Sequence, residues 1–311
     1  MIIKRISILI IFLLIAAGYF IGSYFVDFAL KRGNADDPNA IPAACESIHD
    51  ASRTVPPMPA VPNKKWNITS ADSLNLYADY FLPDSASHKW AVLVHGYGRD
   101  RRFAYDYSEE YLKRGYNVLI PDLRASGESE GTYLTMGSKE SDDILLWINK
   151  IIEEDPKAEI ILHGVSMGAA TVMLTAAKET SPNLKAVIED CGYTSAYDMF
   201  TMQLDEIFNL PAFPIMDCVN IVTEIKTGVP LSEASPINVI KNIKVPIMFI
   251  HGTGDKLVPY NMMQELYNAC ESPIKETLTF EDVGHADSKS SNPDLYFSKI
   301  FSFLDKYADL H

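Results

Sequence analysis

The sequence predicts an α/β fold built on a mostly parallel central sheet with helices on both faces, preceded by one long apolar helix. Three observations carry this reading. Short, wholly apolar segments of strand length alternate with helical segments through most of the chain, the pattern of strands buried on both faces. Gly164-Val165-Ser166-Met167-Gly168 stands where an apolar strand ends and a small-residue helix begins, the Gly-x-Ser-x-Gly pattern of a nucleophile elbow. Histidine, aspartate and glycine collect at strand ends, where such a sheet presents its functional groups.

Composition bounds the rest. At 311 residues with 47% hydrophobic residues, the chain can bury a sizeable core. Against 41 acidic residues stand 27 Lys and Arg, a formal charge of −14, which argues against a nucleic-acid partner because phosphate neutralisation needs basic side chains. Cys45, Cys191, Cys218 and Cys270 are scattered without Cys-x-x-Cys or zinc-ligand spacing, so no metal is read from them. They read as ordinary buried thiols, with a Cys191–Cys218 disulfide as the alternative.

Residues 1–30 read as a transmembrane anchor. Ile6 to Val26 carries no charge and is long enough to cross a bilayer, which takes about 20 apolar residues. Lys4 and Arg5 precede it, which puts the first side in the cytoplasm and the bulk of the protein outside it, although Lys31 and Arg32 follow on the other side. A cleaved signal sequence is the alternative. Gly18 and Gly22 form a small-residue pair that could pack two anchors together, or arise by chance in an apolar helix. Residues 31–65 gather Pro38, Pro42, Pro56, Pro57, Pro59 and Pro62 and read as a Pro-rich linker between membrane and globular domain.

The globular domain is expected over 66–311. Trp66 to Thr69 and Leu74 to Phe81 read as a strand pair across Ser70-Ala71-Asp72-Ser73. Strands follow at Trp90 to Val94, Asn117 to Ile120, the elbow strand ending at Val165, Leu184 to Glu189, Val245 to Ile250 and Glu276 to Phe280. Helices are expected at Phe103 to Arg114, Lys139 to Glu153, after Ser166, at Asn261 to Cys270 and from Pro293 to Tyr307. An insertion at about 191–235 breaks the alternation and carries many apolar residues, among them Phe200, Leu204, Phe208, Ile215 and Met216.

The candidate chemistry follows from the strand ends. In a sharp strand-to-helix turn the residues two before and two after the nucleophile approach too closely to carry a Cβ, so Gly164 and Gly168 fit the pattern and leave the Ser166 hydroxyl exposed. A serine nucleophile needs a base, and His285, on a Gly-preceded loop after the last strand, is the candidate. That base needs a carboxylate to fix its tautomer; Asp255 directly follows a strand, with Asp190 as the rival. His95, His163 and His251 also stand at strand ends and read as packing or hydrogen-bonding residues. An oxyanion hole needs two converging amides, for which Met167 N–H and Tyr97 N–H, in His95-Gly96-Tyr97-Gly98, are the candidates.

Together these residues resemble the α/β-hydrolase fold, in the serine-hydrolase branch of small bacterial esterases, monoacylglycerol-lipase-like and serine-aminopeptidase-like proteins. Shared pieces are His95-Gly96-Tyr97-Gly98, Pro121-Asp122-Leu123-Arg124 with Gly127 and Ser129, the elbow, His251-Gly252-x-x-Asp255 with Val258-Pro259, and Gly284-His285. The chain departs at Ala125-Ser126, where relatives usually carry Gly and His. The resemblance implies hydrolysis of an ester, thioester or amide, and an insertion at 191–235 that forms a small helical lid. The expected mechanism is acyl transfer through a covalent intermediate on Ser166, without metal or organic cofactor, on a small acyl ester. Alternatives are an amide-cleaving or acyl-transferring enzyme of the same fold and a non-catalytic membrane-tethered binding protein.

Overall fold

The computed structural model describes residues 2–33, 55–179 and 181–308. A long helix α1 (Ile2–Leu30) leads into a sheet of eight strands: β1 (Asn63–Thr69), β2 (Asn75–Phe81), β3 (Lys89–Val94), β4 (Asn117–Pro121), β5 (Glu159–Val165), β6 (Leu184–Asp190), β7 (Ile247–Gly252) and β8 (Lys275–Phe280). Their spatial order is β1-β2-β4-β3-β5-β6-β7-β8. The β1–β2 hairpin and the β2–β4 pair are antiparallel, and every other pair is parallel. β4 and the central parallel strands β5 to β7 are buried almost throughout, because helices cover both faces.

One face carries α3 (Ser138–Glu154), α4 (Met167–Lys178) and α8 (Tyr260–Ala269), and the other α2 (Tyr105–Leu112) and α10 (Pro293–Tyr307); the core divides accordingly into two apolar clusters. Between β6 and β7 the chain leaves the sheet to form the lid, α5 (Ala196–Phe208) and α6 (Ala212–Thr227), before the short α7 (Pro236–Val239); α9 (Ser288–Ser291) precedes α10. From β3 the chain goes first to β4 on one side and later to β5 on the other. The C-terminal ends of β3 and β5 therefore flank the point where strand order reverses, the usual place for a ligand crevice.

Element boundaries differ from the sequence reading in informative places. The helix expected from Phe103 opens with a 3₁₀ turn, Arg101–Ala104, whose start is capped by Asp100 accepting from the Arg102 N–H at 2.9 Å. It stops at Leu112 because the chain then turns through Gly115 at φ 79°.

The larger correction concerns α1 and the linker. Expected as a tether held off by residues 31–65, the helix is instead seated on the domain over its second half. Lys4 to Ile15 are exposed, whereas Gly22, Val26 and Leu30 are buried. Lys31 bridges to Tyr133, Arg32 N–H donates to the Thr132 carbonyl at 2.8 Å, and the Arg32 guanidinium donates to the carbonyls of Gly127 (2.6 Å) and Ser129 (2.9 Å). The domain begins at Asn63, the start of β1, rather than at Trp66. Of the expected linker, residues 34–54 lie outside the described residues.

The contact with the lid is close because Gly18 and Gly22 face α6. A Cβ on Gly22 would come within 2.5 Å of the Cys218 carbonyl oxygen, and one on Gly18 within 3.2 Å of its sulfur. The small-residue pair thus packs against this chain's own lid. Cys218, like Cys191 and Cys270, is a free thiol, so Cys191 and Cys218 are not bridged; Cys45 lies outside the described residues.

Candidate active site

The elbow forms where the sequence demands it. Ser166 adopts φ 58° and ψ −119°, a sparsely populated conformation for a residue with a side chain, of a kind that costs on the order of 1–3 kcal/mol. The turn is tight enough that a Cβ on Gly164 would lie 2.1 Å from the Gly168 carbonyl oxygen, and a Cβ on Gly168 2.1 Å from that of Val94. Ser166 N–H is held by the Asp190 carbonyl at 2.8 Å, and the Ser166 carbonyl accepts from Ala170 N–H at 3.1 Å. The side chain is left pointing off the end of the sheet.

There it meets His285, whose Nε2 is 2.8 Å from Ser166 Oγ. The other ring nitrogen, Nδ1, is 2.7 Å from Asp255 Oδ2. Asp255 is held from several sides: its Oδ1 accepts the N–H groups of Leu257 and Val258, both at 2.9 Å, and its Oδ2 also lies 3.2 Å from His251 Nε2. Burial of this side chain favours the neutral acid, but the hydrogen bonds from His251 and His285 outweigh it and hold the carboxyl at about 2. The structure therefore brings Ser166, His285 and Asp255 into one hydrogen-bonded line, with the carboxylate ionised at neutral pH.

The rival Asp190 is turned the other way. Its Oδ2 accepts from the Tyr296 hydroxyl at 2.8 Å, and burial pushes it up to about 6. Of the three histidines read as packing or hydrogen-bonding residues, His163 lies between the hydroxyls of Tyr111 and Tyr296, each at 2.9 Å, and burial lowers it to about 3. His95 Nε2 accepts from Leu123 N–H at 3.1 Å. His251 is closer to the chemistry than its sequence context suggests. Its Nε2 donates to the Val258 carbonyl at 2.8 Å while flanking Asp255, and its buried Nδ1 has no hydrogen-bond partner among the described residues.

Below these groups lies Glu189, fully buried, with Oε2 accepting from Gly192 N–H at 3.0 Å and Oε1 unpartnered. Burial pushes its carboxyl up to about 8. Only its position at a strand end signalled it in the sequence. Cys191 completes a trio of donor atoms with Asp255 and His285, all within 4.8 Å of one another. Burial raises its thiol well above the ordinary value.

The two oxyanion candidates flank Ser166. Met167 is the first residue of α4, so its N–H has no carbonyl four residues earlier within the helix. Gly96 presses on the elbow, where a Cβ would come 3.1 Å from the Val165 carbonyl oxygen and 3.3 Å from Ser166 Cβ; Tyr97 follows directly. Tyr97 also points its hydroxyl at α1, donating to the Ala29 carbonyl.

Two cavities meet at Ser166 and Tyr97. One is a narrow apolar slot of about 70 Å³ beneath the lid, walled by Met167, Met199, Leu204 and Met216 and, on one side, by Phe25, Phe28, Ala29 and Leu30 of α1. The other is wider, about 730 Å³, and more polar, bounded by Arg99, Asp106, His285, Asp287 and Lys289. A group bound across Ser166 would thus have an apolar part on one side and a polar part on the other.

Residues 103–311 match the family model described as the prolyl oligopeptidase family. The Bacillus subtilis protein YqkD is 27% identical over 301 residues, which span 95% of this chain and 96% of its own. A Saccharomyces cerevisiae membrane protein, YNL320W, is 23% identical over 78% of this chain and 80% of its own. Among solved structures, the Pyrococcus furiosus esterase Pf2001 superposes with a TM-score of 0.66 at 25% identity, covering 80% of this chain and 92% of its own.

Proposed function

Because the chain belongs to the prolyl oligopeptidase family and has the α/β-hydrolase fold, we propose that it is a serine hydrolase cleaving a carboxylic ester or thioester through an acyl-enzyme. The observation that carries the reading is His285, whose two ring nitrogens meet Ser166 Oγ at 2.8 Å and Asp255 Oδ2 at 2.7 Å. In this reading His285 takes the proton of Ser166 as its oxygen attacks the carbonyl carbon, and Asp255 fixes the tautomer and stabilises the imidazolium. The amides of Met167 and Tyr97 hold the tetrahedral oxyanion, aided by the positive end of α4. The proton on His285 passes to the leaving alcohol or thiol, which departs through the polar cavity. Water repeats the sequence and releases the acid.

The apolar slot favours an acyl ester over a peptide, although amide cleavage would use the same residues, as the family name implies. The apolar helix α1 is read as an uncleaved membrane anchor, since its second half is built into the domain. The test is fluorophosphonate labelling of the full chain in detergent, wild type against Ser166→Ala, together with turnover of p-nitrophenyl esters and amino-acid anilides. Labelling and ester turnover that vanish in the variant are expected. A folded wild type that neither labels nor hydrolyses ester would overturn the enzyme reading; anilides cleaved faster than esters would move it to a peptidase.

A further inference from the structure

Taking the proposed acyl-enzyme as its premise, we infer that the membrane helix is itself a wall of the acyl site, and that the substrate is a long-chain acyl lipid whose chain enters from the bilayer. The slot next to Ser166 is closed on one side by Phe25, Phe28, Ala29 and Leu30, residues that a bare anchor would leave in lipid or water.

The docking of that wall is specific. The last-turn carbonyls of a helix lack partners within it. In α1 the Ala29 carbonyl accepts from the Tyr97 hydroxyl and the Leu30 carbonyl from Leu134 N–H at 2.9 Å. Asp27 accepts from Lys226 Nζ of the lid at 2.6 Å and from the Tyr133 hydroxyl at 2.8 Å. Tyr97, the proposed oxyanion donor, is thereby bonded to the anchor, so wall and reaction centre share one position.

The height of the slot relative to a bilayer follows from the helix. Ile6 to Val26 rises about 30 Å at 1.5 Å per residue, the thickness of the hydrocarbon core. The charged pair Asp27–Lys226 then marks the interface, and the slot opens at that level. α6 packs on Gly18 and Gly22, inside that span, so the lid helix dips below the interface there, with Ile221 and Ile225 among its exposed residues.

Size argues for a chain that extends beyond the slot. An apolar cavity of about 150 Å³ takes a benzene ring, so 70 Å³ receives only a few carbons. The remainder has to leave past the partly open rim. There Phe208, at the end of α5, makes edge contacts with Phe25 (5.3 Å) and Phe28 (5.7 Å), and Ile207 is 43% exposed. This rim adjoins the lipid-facing part of α1.

The experiment reads occupancy without requiring turnover. Full chain is reconstituted in phosphatidylcholine vesicles containing a phospholipid with a diazirine in its acyl chain, irradiated, and the adducts mapped by mass spectrometry. Adducts on residues 25–30 and 199–208 are expected, at least tenfold fewer in Ala29→Phe, whose ring fills the slot, and unchanged in Leu14→Ala on the exposed part of the helix. Phe28→Ala, which widens the rim, is expected to raise them. Adducts confined to residues 6–15 in every variant would overturn the inference. So would equal labelling when the probe is confined to separate vesicles, since the chain would then arrive through water. Ester turnover in the same vesicles reports separately on the hydrolase reading.

Discussion

At Asp255 and Glu189, two acids at neighbouring strand ends, burial acts alike and partners decide the outcome. Asp255 receives two backbone N–H groups and two imidazoles and stays ionised; Glu189 receives one N–H and is pushed up to about 8. The sign for stability follows. A buried carboxyl raised from 4.5 to about 8 is fully favourable only below the lower value, and its contribution is lost as pH rises through the upper one. Glu189→Gln, which keeps an acceptor for Gly192, is therefore expected to stabilise at pH 8 by on the order of 2 kcal/mol, roughly 4–8 °C in Tm for a domain of this size. At pH 4, below the ordinary value, the gain should be absent. A melting series over this pH range checks it; a gain equal at both pH values would show that the glutamate is not held as a raised acid.

At the level of elements, the α1–α6 contact depends on two glycines against one cysteine. A larger side chain at Gly22 meets the Cys218 backbone, which cannot yield as a flexible side chain can. Gly22→Leu is expected to lift the helix from the lid and to raise the rate of maleimide modification at Cys218 at least tenfold in the full chain; an unchanged rate would mean the contact is not closed in solution. Such pairings explain what the sequence could and could not tell. Strands and covering helices are legible because a buried parallel strand has to be a short apolar run. Ser166, Asp255 and His285 were candidates because a parallel sheet delivers its chemistry at the same ends. The docking of α1 was not legible. An apolar helix long enough for a bilayer reads the same whether or not its last turns touch protein, and Asp27 and Lys226 are 199 residues apart. In the sequence, Gly18 and Gly22 read as a pairing of two anchors or as chance, not as a seat for the lid. His251 reads there only as a packing or hydrogen-bonding residue, since nothing local shows that its partner would be Asp255.

For the molecule as a whole, α1, the lid and the loop of residues 122–131 form one assembly. The loop in which this chain carries Ala125-Ser126 is also the loop whose carbonyls hold Arg32, at the end of α1. Removing residues 1–33 would uncover Val26 and Leu30 contacts worth about 1.5–3 kcal/mol each. The shortened chain is expected to melt several degrees lower than the full chain in the same detergent and to bind an apolar dye at the lid; equal melting and no dye binding would return α1 to the role of a simple tether. The threefold fastening of α1, at Gly22, Asp27 and Arg32 just beyond it, also removes the domain's freedom to swing about this helix. If α1 spans a bilayer as proposed, a reaction centre held at constant height over that plane meets its substrate by lateral diffusion. For the proposed enzyme, substrate would then be counted per area of membrane rather than per volume of water, with inert lipid as the diluent.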